Sequence, residues 1–284
     1  MPGVRMDGAG LAERVRAGIA AEVREVGELA LATVLVGDDP ASEVYIRLKH
    51  KAAEAVGIRA VDRRLPADTS EDDVLDLVAA LNDDDSVDGI LVQTPLPAHM
   101  DEITVTGAVA AEKDVDGFNL VNTGRLYRGR PGLVPATAAG VMRLLDEYDV
   151  ALAGRHAVVV GRSDRVGKPL LHMLLQRNAT VTVCHSRTAD LPTHTRAADV
   201  LVVAVGQEGL VSREMVKPGA TVVDVGMNRG ESGLVGDVNR DVAEVAGAFT
   251  PVPGGVGPMT IAMVLQNTVQ AARYRRGSLA FPRR

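Results

Sequence analysis

Four short, almost unbroken apolar runs recur in the second half of the chain, at residues 155–160, 180–184, 200–205 and 220–225, with helix-length segments between them. A strand that shows one face to water alternates polar with apolar, so runs without alternation predict strands covered on both faces, as in a parallel sheet. The helical spacers at 137–149 and 168–177 supply that cover. The first half repeats the pattern. Residues 29–37 read as a strand ending in the turn signal GDDP, 60–65 as a weaker strand and 88–93 as a buried one. Between them, 42–57 has helical spacing, with Val44, Leu48, Ala52 and Ala55 on one face and Gly57 as a stop. Ser70 is placed to cap a helix through Leu81, with acidic residues crowding its first turn. A last helix at 259–273 is expected to dock back on the first domain. The expectation is an α/β protein of two lobes with a cleft between them. One lobe would span 1–120, completed by 259–284, and the other, of Rossmann type, 121–258.

Composition narrows the function. Apolar residues make up 46% and charged residues 24%, ordinary values for a globular chain with a real core. With 31 basic against 37 acidic residues the net charge is −6, and there are three Phe, four Tyr and no Trp. That balance argues against nucleic acid as a partner and removes the stacking platforms of single-strand binders. The single cysteine, Cys184, can form no internal disulfide and supports no cysteine zinc cluster, so no metal is expected. Apolar runs near the start are broken by Arg and Glu, so no secretory segment is expected there. The longest uncharged stretch, 248–272, opens with Pro251, Pro253 and Pro258, and its remainder is shorter than the roughly 20 residues that span a bilayer. A soluble, cytoplasmic protein with no membrane partner is the expectation.

Several constellations could carry chemistry. VVVGRSDRVGKP, 158–169, is a strand, a glycine turn and a helix start, a place where backbone N–H groups hold a pyrophosphate. It is no Walker A loop, because Gly161 and Gly167 are wrongly spaced and Pro169 stands where Ser or Thr should be. It is also an imperfect dinucleotide fingerprint, with Ser163 for the second glycine, and an ordinary strand-to-helix turn is the bland alternative. The next strand ends in Cys184-His185-Ser186-Arg187 rather than in an acidic residue. With Arg162 this suits a 2′-phosphate, hence NADP, although Arg187 reads equally as a solvated charge.

In the first half, Tyr45 and Lys49 are four apart on one helical stripe. A lysine near apolar walls becomes a usable acid or base; a solvated lysine is the alternative. Gln93 closes a buried strand, where its amide needs partners such as a lysine or a ligand. In KDVDG, 113–117, an aspartate could pair two parallel donors of an amidine-like ligand or simply stabilise a turn. TPVPGGVGPMT, 250–260, is a glycine–proline loop that allows close backbone approach to a flat ligand.

YIRLKHKAAEAVGI, GILVQTPLP, KDVDGFN, VVVGRSDRVGKP, NATVTVCHSRT, DVGMNR and PVPGGVGPMT occur in order from about residue 31 to 267. Together they resemble the signatures of bifunctional methylenetetrahydrofolate dehydrogenase/methenyltetrahydrofolate cyclohydrolases. The resemblance implies a catalytic α/β domain plus a Rossmann domain, usually as a homodimer, acting on a folate substrate with NADP. It implies Lys49 as the catalytic lysine, Tyr45 stacking on the folate, Gln93 bonded to the lysine and Asp116 holding the pterin. Gly161, Arg162, Ser163, Ser186 and Met227 match the family's NADP contacts, and Pro253, Gly254 and Gly257 the loop over the substrate.

The sequence departs from the family at four positions: Ala136 and Ala138 in PATAAG, where PCTPxG is usual, Thr94 in place of Leu, and Asn119 where His is frequent. These departures leave two rival readings open: a catalytically weak folate- or dinucleotide-binding regulator, and a Rossmann dehydrogenase of unrelated substrate.

Overall fold

In the computed structural model, which describes residues 3–230 and 233–281, the chain forms two compact units. One comprises Met1–Glu13 and Thr137–Thr260, the other Arg14–Ala136 and Ile261–Arg284. The boundaries differ from the expected 1–120 and 121–258. Residues 121–136 go with the first-half elements, and the N-terminal segment goes with the second-half sheet. The reason is pairing: strand Val4–Arg5 is parallel to Ala248–Phe249, a strand too short to announce itself in the sequence.

In the unit of 1–13 and 137–260 the sheet is entirely parallel, in the order Val4–Arg5, Ala248–Phe249, Thr221–Asp224, Val200–Val203, His156–Val160, Thr180–Cys184. All four residues of Val200–Val203 and four of the five in His156–Val160 are buried, as unbroken apolar runs require. The order reverses direction at His156–Val160, whose neighbours are Thr180–Cys184 on one side and Val200–Val203 on the other. In open α/β sheets this is where ligands bind, beyond the carboxyl ends of the strands.

The other unit has a three-stranded parallel sheet, Ile58–Leu65, Leu29–Val36, Gly89–Val92. The central strand is buried at all eight positions, whereas the edge strand Ile58–Leu65 exposes its Arg and Asp side chains. Helix Glu71–Asp83 is capped by Ser70, whose hydroxyl accepts from Asp73 N at 3.1 Å. Helix Val256–Arg275 begins three residues earlier than 259, so Gly257 lies in its first turn rather than in the loop. Its Asn267 Nδ2 donates to Val115 O and Val134 O at 2.8 Å each, fixing the backbone around KDVDG.

Helix Pro40–Ala55 corrects one expectation. Its buried side chains are Ser42, Ile46, Lys49 and Ala53, while Val44 and Leu48 are 41% and 45% exposed. The buried stripe is offset from the expected one and mixes apolar Ile46 and Ala53 with Ser42 and Lys49.

Among the described residues no helix is long and apolar enough to cross a membrane, and no group of three or more His, Cys, Asp or Glu could hold a metal ion.

Candidate active site

The expected site residues fall into two sets, one in each unit. Helix Pro40–Ala55 starts where Gly37, at positive φ, turns the chain out of the central strand and the Asp39 carboxylate accepts Ser42 N at 2.8 Å. This start sets the phase that turns Lys49 inward, leaving it only 8% exposed. Gln93 follows strand Gly89–Val92, and its N–H continues the ladder to Val34 O at 2.8 Å. Its Oε1 accepts from Lys49 Nζ at 3.0 Å, and its Nε2 donates to Thr94 O at 2.8 Å. With the NH₂ end committed to a carbonyl, the amide holds its oxygen toward the lysine. The partner at Thr94 is a backbone carbonyl, so a Thr in place of Leu leaves this bond intact.

Burial pushes the Lys49 ammonium below its usual pKa, and the nearby Asp116 carboxylate pulls it partway back. Tyr45, one helical turn earlier, is half-buried, and burial raises its phenol pKa. Lys49, Gln93 and Asp116 are therefore brought together, with Tyr45 on the same helix.

The two aspartates of KDVDG have separate jobs. Asp114 is buried and accepts from Gly117 N, Asn119 N and Asn122 Nδ2 at 2.9, 2.7 and 3.0 Å. Burial nevertheless pushes its pKa up to about 6, against the opposing hydrogen bonds. It staples the turn that presents Asp116. Gly117 completes the turn at φ +72°, where a Cβ would fall 2.5 Å from Val134 C. Lys113 is structural, donating to Leu81 O and Asp84 O at 2.9 and 2.8 Å at the end of helix Glu71–Asp83. Asn119 Oδ1 caps helix Leu120–Tyr127 through Val121 N at 2.8 Å. Its Nδ2 reaches Gly107 O and Val109 O at 3.0 and 2.8 Å.

In the unit of 137–260, Gly161 sits at φ +129° directly after Val160, donating its N–H to Cys184 O at 2.8 Å. A Cβ there would overlap Ala204 O, and one on Gly167 would overlap Gly161 O. The turn is thus packed so tightly against its neighbours that only glycine fits, and helix Gly167–Gln176 begins with no side-chain cap. The positive end of a helix behind a glycine turn suits a pyrophosphate, although Lys168 N already donates to Ser163 O at 3.0 Å. Arg162 and Ser163 are exposed in this turn, and Ser186 and Arg187 are exposed after the adjacent strand, where Val160 pairs with Cys184. Two cations and a hydroxyl at the ends of paired strands are the donor set for a phosphomonoester.

Met227 is exposed, its Sδ 3.5 Å from where a Cβ on Gly257 would stand. Pro253 and Gly254 lie in the turn before Val256, with Gly254 at φ +102°. Sequence reasoning missed the aspartates that order these segments. Asp224 accepts from Gly226 N, Asp237 N and Val238 N at 2.9, 3.0 and 3.0 Å. Asp237, with no exposed surface, accepts from Val205, Gly206 and Gln207 N and from Asn228 Nδ2 at 2.7–3.0 Å. The signal was an Asp within two residues of a Gly in both DVG and GDV, but no spacing rule joins the two.

Residues 6–116 match the catalytic-domain model of the tetrahydrofolate dehydrogenase/cyclohydrolase family, and residues 135–276 match its NAD(P)-binding domain. The chain is 54% identical to "Bifunctional protein FolD" of Bordetella bronchiseptica, with 94% of this chain and 96% of that one aligned. It is 53% identical to "Bifunctional protein FolD 2" of Frankia alni, covering 96% and 97%. Among solved structures, the bifunctional FolD of Campylobacter jejuni superposes with a TM-score of 0.94 at 45% identity, covering 96% and 99%. The dehydrogenase-cyclohydrolase of Trypanosoma brucei, solved with NADP cofactor and inhibitor, gives 0.92 at 39% identity, covering 99% and 100%. Both halves of the chain thus match in order and almost completely, and the chain belongs to the tetrahydrofolate dehydrogenase/cyclohydrolase family.

Proposed function

We propose that this chain oxidises 5,10-methylenetetrahydrofolate to the methenyl compound with NADP and hydrolyses that product to 10-formyltetrahydrofolate. The observation that carries the reading is the buried Lys49, bonded to an oriented Gln93 and balanced by Asp116. A regulator without catalysis would have no use for a desolvated lysine so arranged. The relatives are named bifunctional proteins, and the Campylobacter jejuni structure is described as a bifunctional enzyme, which favours the same side.

NADP, when bound, supplies the hydride acceptor. The glycine turn at Gly161, with Arg162, Ser163 and Ser186, would hold its phosphates, and Met227 would lie against it. In the first reaction the chain's task is to hold and orient, because the flanking nitrogens of the substrate stabilise the cation that hydride loss leaves. Tyr45 would stack on the folate, and Asp116 would pair the pterin's amidine donors.

In the second reaction water adds to the methenyl carbon and loses a proton. Neutral Lys49 takes that proton, and the resulting ammonium returns it to the ring nitrogen as the carbon–nitrogen bond breaks; the remaining hydroxyl proton leaves to solvent as the formyl carbonyl forms, so one proton is released overall. Its lowered pKa favours the neutral form that this sequence starts from, and Gln93 Oε1 is positioned to accept from the ammonium that follows. Arg162 and Ser186 would select NADP over NAD through the 2′-phosphate. The homodimer rests on the family resemblance and the cytoplasmic location on the sequence pattern, and sedimentation of the purified chain tests the former.

Following NADPH formation and methenyl consumption in one absorbance assay tests the central reading. Both signals are expected; binding of folate and NADP without turnover would overturn it in favour of the regulator.

A further inference from the structure

The unit of 137–260 contains a cavity of about 540 Å³, within the range of small-ligand sites. None of its lining residues is matched to the cofactor or the folate. Val222, Val238, Val242, Phe249, Pro251 and Val252 give it apolar walls. Arg5, from strand Val4–Arg5, and Arg240, from the short helical turn Arg240–Glu244, line the same space. Neither guanidinium has an ion-pair or hydrogen-bond partner among the described residues. The Arg5 Nη2 lies 3.9 Å from where a Cβ on Gly254 would stand.

Two acidic residues also line the cavity. Asp224 has both oxygens occupied by three backbone N–H groups. Glu208 is exposed and not so engaged, so the walls carry two arginines without a partner among the described residues and two carboxylates, of which only Glu208 keeps its acceptors open. Both arginines are exposed, and two guanidiniums on the lining of an apolar-walled cavity supply the donors of a carboxylate receptor.

We propose that this cavity is a second ligand site, one that takes a small amphipathic carboxylate with its apolar body on Val222, Val242 and Phe249 and its carboxylate between Arg5 and Arg240. Glu208 at the wall opposes the carboxylate and sets the affinity below what the two arginines alone would give. An occupant braces Pro251 and Val252, the residues directly ahead of Pro253 and Gly254.

The test is a protein-observed NMR titration of the full chain saturated with NADP, using 4-butylbenzoate and its neutral counterpart 4-butylbenzyl alcohol. Amide shifts are expected at Ala243, Thr250 and Val252, with the alcohol about tenfold weaker than the acid. Arg240→Ala should weaken the acid by about tenfold while leaving the Kd for NADP unchanged, and Arg240→Lys should restore part of the loss. Glu208→Gln should tighten it about threefold, by removing a like charge. Equal binding of alcohol and acid, an undiminished response in Arg240→Ala, shifts confined to Gly161–Ser163, or no response at millimolar acid would each overturn the proposal.

Discussion

Replacing Lys49 with Met separates the two proposed reactions. The side chains are similar in length, so Met fills the same buried space and leaves the helix face packed. The structure sets two opposing stability terms. Gln93 Oε1, half-buried, loses its donor, which costs about 1 kcal/mol, while an ammonium no longer has to be held out of water. Net stability should therefore move by no more than about 1–2 kcal/mol, and folate should still bind. The hydrolytic rate should fall far more. Losing a positioned proton carrier costs about 10²–10⁴ in rate, or about 3–5 kcal/mol of barrier. Hydride transfer needs no such carrier and should fall less. Stopped-flow absorbance, reading NADPH and the methenyl compound separately, should show the methenyl compound accumulating in the mutant. The wild-type hydrolytic rate should also rise with pH through a limb below the usual lysine range, since burial lowers this pKa, and the mutant should lack that limb. Hydrolysis within twofold of wild type in a folded Lys49→Met would remove Lys49 from the chemistry.

Asp116→Ala should raise the folate KM in both reactions by about 1–3 kcal/mol of binding, and an unmoved KM with a collapsed kcat would show Asp116 to be a chemical group instead. NADP should be preferred to NAD by about ten- to a hundredfold in kcat/KM, and Arg162→Ala and Ser186→Ala should erode that preference through the NADP rate alone; equal use of both cofactors by the wild type would refute the pocket. Gly161→Ala should cost more than about 2 kcal/mol in chemical denaturation and abolish NADP binding, because its Cβ meets Ala204 O at a φ that L-residues avoid; a normal Kd for NADP would refute the close approach. Asp114 titrates at about 6 in the fold against 3.8 as a free group, so its contribution to stability is fully present below pH 3.8 and lost as pH rises through about 6; a carbon-13 carboxyl titration with a midpoint near 4 would contradict that burial.

The strands were legible because a strand buried on both faces must be written in apolar residues, and four at 29–37, 88–93, 155–160 and 200–205 left little else to read, whereas the edge strand Thr180–Cys184 alternates and buries only Cys184. The helix at 42–57 was legible as a helix but its face was misassigned. Hydrophobic phase assumes that the buried stripe is the apolar one, and here Ser42 and Lys49 occupy it. The same residue that breaks the pattern is the one proposed to do the chemistry, a conflict expected where function overrides packing. Helices Glu102–Gly107 and Leu120–Tyr127 escaped notice because each is under nine residues, too short for a period to show. Their caps, Asp101 and Asn119, were the available signal. The nucleotide turn was readable as a type, but Asp237, which closes on Val205–Gln207 from about 30 residues away, had no local signature.

The pairing of Val4–Arg5 with Ala248–Phe249 also bears on how the chain is made. A ribosome releases the first strand early, but its partner follows roughly 240 residues later, about 10–50 s at ordinary rates of synthesis. Through that interval the leading segment must wait outside the exit tunnel without its neighbour. The stretch Arg14–Ala136 is likewise incomplete until Ile261–Arg284 emerges. Neither unit can therefore close vectorially, from front to back, as a contiguous domain does. Truncated nascent chains ending before residue 248 should remain open to protease at their leading segment, and release of the full-length chain should protect it.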